Sequence, residues 1–369
     1  MPGSLVDESH LALAREAGRK LSAQLSLSCV YITGSLAAGL GNATSDVDIV
    51  AVADSTDEIA EWTSSGGFIS HVELYSKATV KSWLAELDQL PYKHSQYAAT
   101  IKLEPLLENL SRIHYAIPVL GDELLGEWKR KLSTSSLRQA YMLFHSTDAI
   151  TYARDALGAV TSGDLLTAWD VSVQALRGVL LAVLASTDDL YYGRKWLLRR
   201  MEDSPVISAG LRREAHSLLY PQGGIPADHD VLRQKVKERM QLAGYLSAYV
   251  SVFAWTRPLT QSPEIGLPEQ SGRSPWYVFA RFSDTCFAGG PEGWRLNQLD
   301  LLTWLLLSGD SDVSRKDRAG RLARLLSERT GMAVSGELVE QVLGRLEAAG
   351  LIEHDDREAV TGASVAVGG

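Results

Sequence analysis

The stretch Ile32-Thr33-Gly34-Ser35-Leu36-Ala37-Ala38-Gly39-Leu40-Gly41-Asn42-Ala43-Thr44-Ser45-Asp46-Val47-Asp48-Ile49-Val50 starts β-rich, breaks at Gly-Ser and ends in Asp-x-Asp. Cys29-Val30-Tyr31-Ile32 reads as a strand that stops at Gly34-Ser35, and Asp48-Ile49-Val50-Ala51-Val52 reads as a second. Strand alternation puts Asp46 and Asp48 on one face, with Val47 and Ile49 on the other. Two carboxylates ~7 Å apart along a strand suit a hard cation such as Mg²⁺, which takes oxygen ligands. Gly34 lets the backbone approach a phosphate closely, and Ser35 offers a hydroxyl and an N–H. Phe68 to Tyr75 reads as a third strand. Its Glu73, in Val72-Glu73-Leu74, has the alternation to join the two aspartates. The plainer reading of an Asp-x-Asp after a glycine turn is a solvated turn or a helix cap.

Outward from this core, residues 8–25 read as an amphipathic helix, and helix signals recur at 78–89 and 95–110. From Leu124 to Trp255 the pattern is almost wholly helical, with runs at Leu137–Leu157, Leu165–Leu184, Tyr192–Met201, Ser208–Leu219 and Asp228–Phe253. Long helices with short joins predict a bundle. Residues 256–275 hold four of the twelve prolines and read as a linker. Beyond it, Tyr277–Phe282 and Trp294–Leu296 read as a hairpin with a long turn, followed by helices near 298–308, 316–330 and 336–349. Gly350-Leu351-Ile352-Glu353 suits a short final strand. The expected organisation is α+β, with a head at 1–120, a helical bundle at 121–255, the linker, a C-terminal unit at 276–358 and a disordered tail at 359–369.

Composition excludes several classes. The chain has 369 residues, 45% hydrophobic and 22% charged, with a net charge of −9, which disordered and nucleic-acid-coating proteins do not show. Its two cysteines, Cys29 and Cys286, form no CxxC, which removes zinc ribbons and disulfide scaffolds and suits a reducing cytoplasm. The run Gly178–Ala185 is too short for a bilayer, so no membrane partner is expected.

Gly34-Ser35, ten intervening residues, Asp46-x-Asp48 and the later strand carrying Glu73 resemble the signature of the polymerase-β-like nucleotidyltransferase superfamily. The chain is most similar to its small-substrate members, such as the aminoglycoside nucleotidyltransferases, in which a helical bundle follows the catalytic head. The resemblance implies that Asp46 and Asp48 hold one or two Mg²⁺ ions on a nucleoside triphosphate, most simply ATP. A hydroxyl of a small or peptide-linked acceptor then attacks the α-phosphorus and pyrophosphate leaves. Glu73 is implied as a metal ligand or the general base. Two further readings stay open: nucleotidylation of a protein or RNA, in the manner of a toxin, and a regulator that holds nucleotide without turnover.

The bundle offers secondary sites. Arg194 and Lys195, in Tyr191-Tyr192-Gly193-Arg194-Lys195-Trp196, sit at an expected helix start where cations and N–H groups suit a triphosphate. A solvated basic cap explains them as well. Asp170 and Arg177 share a face of an apolar helix, and either line the acceptor cleft or pair structurally. Trp169, Tyr141 and His145 read as packing residues. The C-terminal unit resembles winged-helix peptide-binding domains of the type found in the coenzyme-PQQ pathway chaperone, through Trp294-Arg295-Leu296-Asn297, Leu301–Asp310 and Gly350-Leu351-Ile352. A peptide is the partner that resemblance implies. DNA is the rival, through the basic run of Arg315, Lys316, Arg318, Arg321, Arg324 and Arg329.

Overall fold

The N-terminal periodicity forms α1 (Glu8–Ser22) in a computed structural model that describes residues 6–352 apart from 24, 43, 56–58, 66–67, 91, 264–271 and 308–313. Asp7 caps this helix by accepting from the backbone N–H groups of Ser9 and His10, at 2.9 and 3.2 Å. β1 (Leu27–Thr33) follows and gives way at Gly34 to the one-turn helix α2 (Gly34–Ala37). Then come β2 (Val47–Ala53), β3 (Ile59–Ser65) and β4 (Phe68–Ser76). The head continues with α3 (Lys77–Leu87), α4 (Tyr97–Thr100), α5 (Leu103–Tyr115), β5 (Ile117–Leu120) and α6 (Asp122–Lys131). The single helix expected over 95–110 is therefore broken, with α4 and α5 separated at Ile101-Lys102.

These strands form one mixed sheet in the order β3-β4-β2-β1-β5, and the fold class is α+β. β2 pairs antiparallel with β1 and parallel with β4, which sets Asp48 between Thr33 and His71. Alternation sorts the two faces. Val30, Ile32, Val47, Ile49, Val72 and Leu74 pack under α1. Cys29, Tyr31, Val50 and Val52 pack against α3 and α5. Asp48 is in phase with Val50, and His71 and Glu73 are in phase with Tyr75, so all three open toward α5.

The bundle comprises α7 (Thr134–Ser162), α8 (Leu165–Ala185), α9 (Leu197–Asp203), α10 (Ala209–Leu219) and α11 (His229–Phe253). Among the described residues α8 is long and apolar enough to cross a membrane by length and composition. The sequence reading counted only the uncharged run within it. In the fold 78% of its most apolar stretch is buried, between α7 and α11.

Arg239 of α11 has no solvent exposure. It donates to the carbonyls of Leu218 (2.7 Å) and Trp169 (3.2 Å) and to Ser172 Oγ (3.2 Å), and its guanidinium lies 3.5 Å from the Trp169 ring centroid. Burial pushes its pKa down to about 10, against a smaller upward pull from Glu238. Arg239→Ala leaves acceptors unpaired and a void behind them, so urea denaturation is expected to show a loss of ~3–5 kcal/mol. Arg239→Met, which refills the space, should lose less.

After α11, Gln139 Nε2 donates to the Trp255 carbonyl (2.7 Å) and Leu259 N–H to the Ser186 carbonyl (2.8 Å). The first part of the proline-rich stretch is thus tied to the bundle, and 264–271 lie outside the described residues. The C-terminal sheet has three antiparallel strands, β6 (Val278–Arg281), β7 (Cys286–Gly289) and β8 (Gly293–Leu296). The expected long turn contains β7, because Phe282 N–H closes a tight turn onto the Thr285 carbonyl at 2.8 Å. α12 (Gln298–Leu306), α13 (Arg315–Thr330) and α14 (Gly336–Ala348) follow. Val278, Ala280 and Phe282 belong to the bundle core, whereas Tyr277 and Phe279 belong to the core of α12–α14. Ile352 makes one β-bridge, with Arg273. Glu353 and the tail lie outside the described residues.

Candidate functional site

Gly34 begins α2 with φ of +73°, a left-handed conformation that glycine adopts without steric cost. A Cβ built there would sit 1.9 Å from Asp48 Oδ2, so the absent side chain is the space the Asp48 carboxylate occupies. The Ser35 carbonyl accepts from Leu40 N–H (2.8 Å) and Gly41 N–H (3.0 Å), which folds the loop back on itself. Asp46 lies just before β2, half-buried. The Asp48 carboxyl is pushed up to about 7 by burial first, then by the charges of Asp46, Glu73 and Glu108, against the opposing pull of Arg112. Proximity of like charges in a partly buried place makes ionisation costly.

Glu73 lies two pairing positions further along β4, opposite Val50, and is strongly engaged. It forms an ion pair with Arg112 of α5, accepts from Tyr75 Oη, and stands 3.4 Å from His71 Nδ1. Arg112 is also held by Glu108, one turn earlier on α5, at 3.0 Å, and its carbonyl accepts from Thr33 Oγ1 at 3.0 Å. His71 Nδ1 is 3.9 Å from Asp48 Oδ1. The structure thus brings Gly34, Asp48 and Glu73 together with Arg112, His71 and Glu108. Nothing in the local pattern around Arg112 or Glu108 marks them; only α5 packing over the sheet brings them in.

The segment between α8 and α9 closes the other side. Leu190 N–H donates to Tyr115 Oη and Tyr192 N–H to Ser111 Oγ, each at 3.2 Å. A cavity of about 110 Å³ remains, lined by Gly34, Asp48, Arg112, Tyr191 and Gly193 among others. Burial pushes the Tyr191 hydroxyl up to about 12, reinforced by the Asp48 charge. Arg199 of α9 spans the two halves, donating to the carbonyls of Leu40 (2.8 Å) and Gly41 (3.3 Å) in the glycine loop.

The bundle residues named from the sequence do not line this cavity. Arg194 and Lys195 fall in a single 3₁₀ turn that runs directly into α9 at Leu197. Arg194 is exposed and pairs with Asp148 at 3.1 Å, while Lys195 lies 5.0 Å over the Trp196 ring. The residues before them, Tyr191, Tyr192 and Gly193, line the cavity. Asp170 is exposed on α8, and Arg177 donates to Tyr220 Oη at 2.9 Å. Neither lines the cavity. His145 is buried beside Tyr141, Phe144 and Tyr192, and Tyr141 Oη donates to the Leu107 carbonyl.

Two features suit a hard cation. The donor set at Asp46 and Asp48 is all carboxylate oxygen, and the Gly34 cradle leaves Asp48 Oδ2 unobstructed by a side chain. Glu73 is occupied by Arg112, Tyr75 and His71, and among the described residues no three metal-ligating side chains converge.

No protein-family model matches the chain, and no curated protein matches it. Among solved structures, a nucleotidyltransferase-like protein from Exiguobacterium sibiricum is similar over 66% of this chain and 76% of its own, at 9% identity and a TM-score of 0.40.

Proposed function

We propose that the chain is a Mg²⁺-dependent nucleotidyltransferase that moves a nucleoside monophosphate, AMP from ATP in the simplest case, onto a hydroxyl of a small or peptide-linked acceptor. The observation that carries this is the contact of Gly34 with Asp48, which sets a side-chain-free backbone against a half-buried carboxylate. Asp46 and Asp48 would hold the cation, whose charge offsets that developing on the phosphates. The Gly34-Ser35 turn admits a phosphate to the backbone. Arg112, bracketed by Glu73 and Glu108, presents a fixed guanidinium to the same cavity. The acceptor oxygen bonds to the α-phosphorus as the bond to the β-phosphate oxygen breaks. Pyrophosphate departs, and the hydroxyl proton passes to a site carboxylate, Glu73 being the nearest to Arg112. The cavity is smaller than a nucleotide, so the groups around Tyr191 and Gly193 must part to admit one.

Incubation with each NTP, Mg²⁺ and hydroxyl acceptors, with pyrophosphate release followed, tests the assignment. Asp46→Ala/Asp48→Ala is expected to lower the rate by at least ~10³-fold. Undiminished release by that double variant would sink it.

A further inference from the structure

A second, larger recess lies far along the chain from the Gly34 site, where α11 meets α12, α13 and the segment 257–262. Its volume is about 490 Å³, within the range of small-molecule sites. One wall is a stripe of rings on α11, Tyr245, Tyr249 and Phe253, spaced four residues apart so that they share a face. Tyr249 stands 6.2 Å from Tyr245 and 4.7 Å from Phe253, centroid to centroid. Leu305 of α12 supplies apolar surface opposite. Two cations complete the lining: Arg257, just after α11, and Arg329, in the last turn of α13.

Both arginines are exposed, and neither has an ion-pair partner among the described residues. The walls are also fixed in place. Leu259 N–H is bonded to the Ser186 carbonyl at 2.8 Å and Ser262 Oγ to Ser208 Oγ at 3.2 Å, which pins the segment carrying Arg257 to the bundle. Arg273 Nη1 reaches the Leu305 carbonyl at 3.4 Å, and its guanidinium lies 5.6 Å from the Tyr245 ring centroid, which braces α12 against α11.

We infer that this recess is a binding site for a small molecule that combines a flat aromatic ring with an anionic group. The ring stacks on Tyr249 and Phe253, and the anion meets Arg257 and Arg329. Aromatic faces accept any planar ring, whereas the guanidinium pair selects for charge. A carboxylate and a phosphate present the same chemistry to the pair, so both belong to the class.

Calorimetric titration of the full chain tests this with matched probes: indole-3-acetate against indole, and 5′-AMP against adenosine. Each anion is expected to bind the recess at least about tenfold more tightly than its neutral counterpart. A higher affinity for indole-3-acetate assigns the carboxylate as the preferred anion, and a higher affinity for 5′-AMP assigns the phosphate. Arg257→Glu/Arg329→Glu should weaken the preferred anion by about tenfold or more, while Arg257→Lys/Arg329→Lys retains most of the affinity. Because both side chains are exposed, circular dichroism of these variants should match the parent. Tyr249→Ala should weaken binding of acid and neutral probe alike. Equal binding of anionic and neutral probes, or unchanged affinity after the double charge reversal, overturns the proposal.

Discussion

Asp48→Asn is expected to raise the thermal midpoint at pH 8 while removing nucleotidyl transfer. The carboxyl group has a folded value of about 7 against an ordinary 3.8, because burial and neighbouring negative charge disfavour its ionised form. Between those values the folded chain holds a proton that the unfolded chain has released. Stability therefore falls as pH rises from ~4 to ~7, and stays at its lower level above that. The side chain is 26% exposed, so solvent screening trims the cost of the full shift to ~1–3 kcal/mol. An amide avoids the ionisation altogether. Thermal melts of parent and variant should diverge most at pH 8 and converge as pH falls toward ~4. The same variant loses a cation ligand and is expected to lose activity by ~10³-fold. A variant less stable than the parent at pH 8 would contradict the account of Asp48.

Gly34→Ala is expected to fail for two separable reasons. At φ of +73° any Cβ is strained, and here the Cβ would overlap Asp48 Oδ2 at 1.9 Å. Together these should cost ~2–4 kcal/mol in urea denaturation, with transfer activity lost. The overlap involves one partner only, so Gly34→Ala/Asp48→Ala should recover the steric part and keep the backbone part. A coupling energy of ~1–3 kcal/mol is expected from the cycle. Strict additivity would show that the carboxylate moves aside freely and that the contact is unimportant. Activity stays absent in the double variant in either case.

The head was legible where structure is local. The break at Gly34, the strand that carries Asp48, and the face that Glu73 shares with it follow from a short run and its alternation, whereas Asp46 falls just before the strand. Three strands were not foreseen, each for a physical reason. β3 runs Ile-Ala-Glu-Trp-Thr-Ser-Ser without apolar alternation, and as an edge strand it takes its pairing from β4 alone. β5 contains Pro118, which only an edge accommodates. β7 is four residues ending in glycine and reads as turn. The rest of the site was hidden by sequence distance. Arg112 lies 39 residues from Glu73, and Arg199 lies 159 from the Leu40 carbonyl it holds. Periodicity reports which face of a helix is apolar, and is silent on which cation on the other face will meet a strand. Arg194 and Lys195 drew attention through composition alone. Their charge is directed to Asp148 and Trp196, whereas Arg199, a turn later, reaches the glycine loop.

The insertion of β6 between α7 and α11 has a consequence for how the chain is made. Val278, Ala280 and Phe282 complete a core whose other members include Ile150 and Ala153 of α7, synthesised well over a hundred residues earlier. During translation that flank of α7 emerges with its partner strand still within the ribosome. The helices then present an open apolar seam until β6 clears the exit. A chain growing from its N-terminus should keep this seam available to chaperones for longer than the head sheet, whose strands all lie between Leu27 and Leu120.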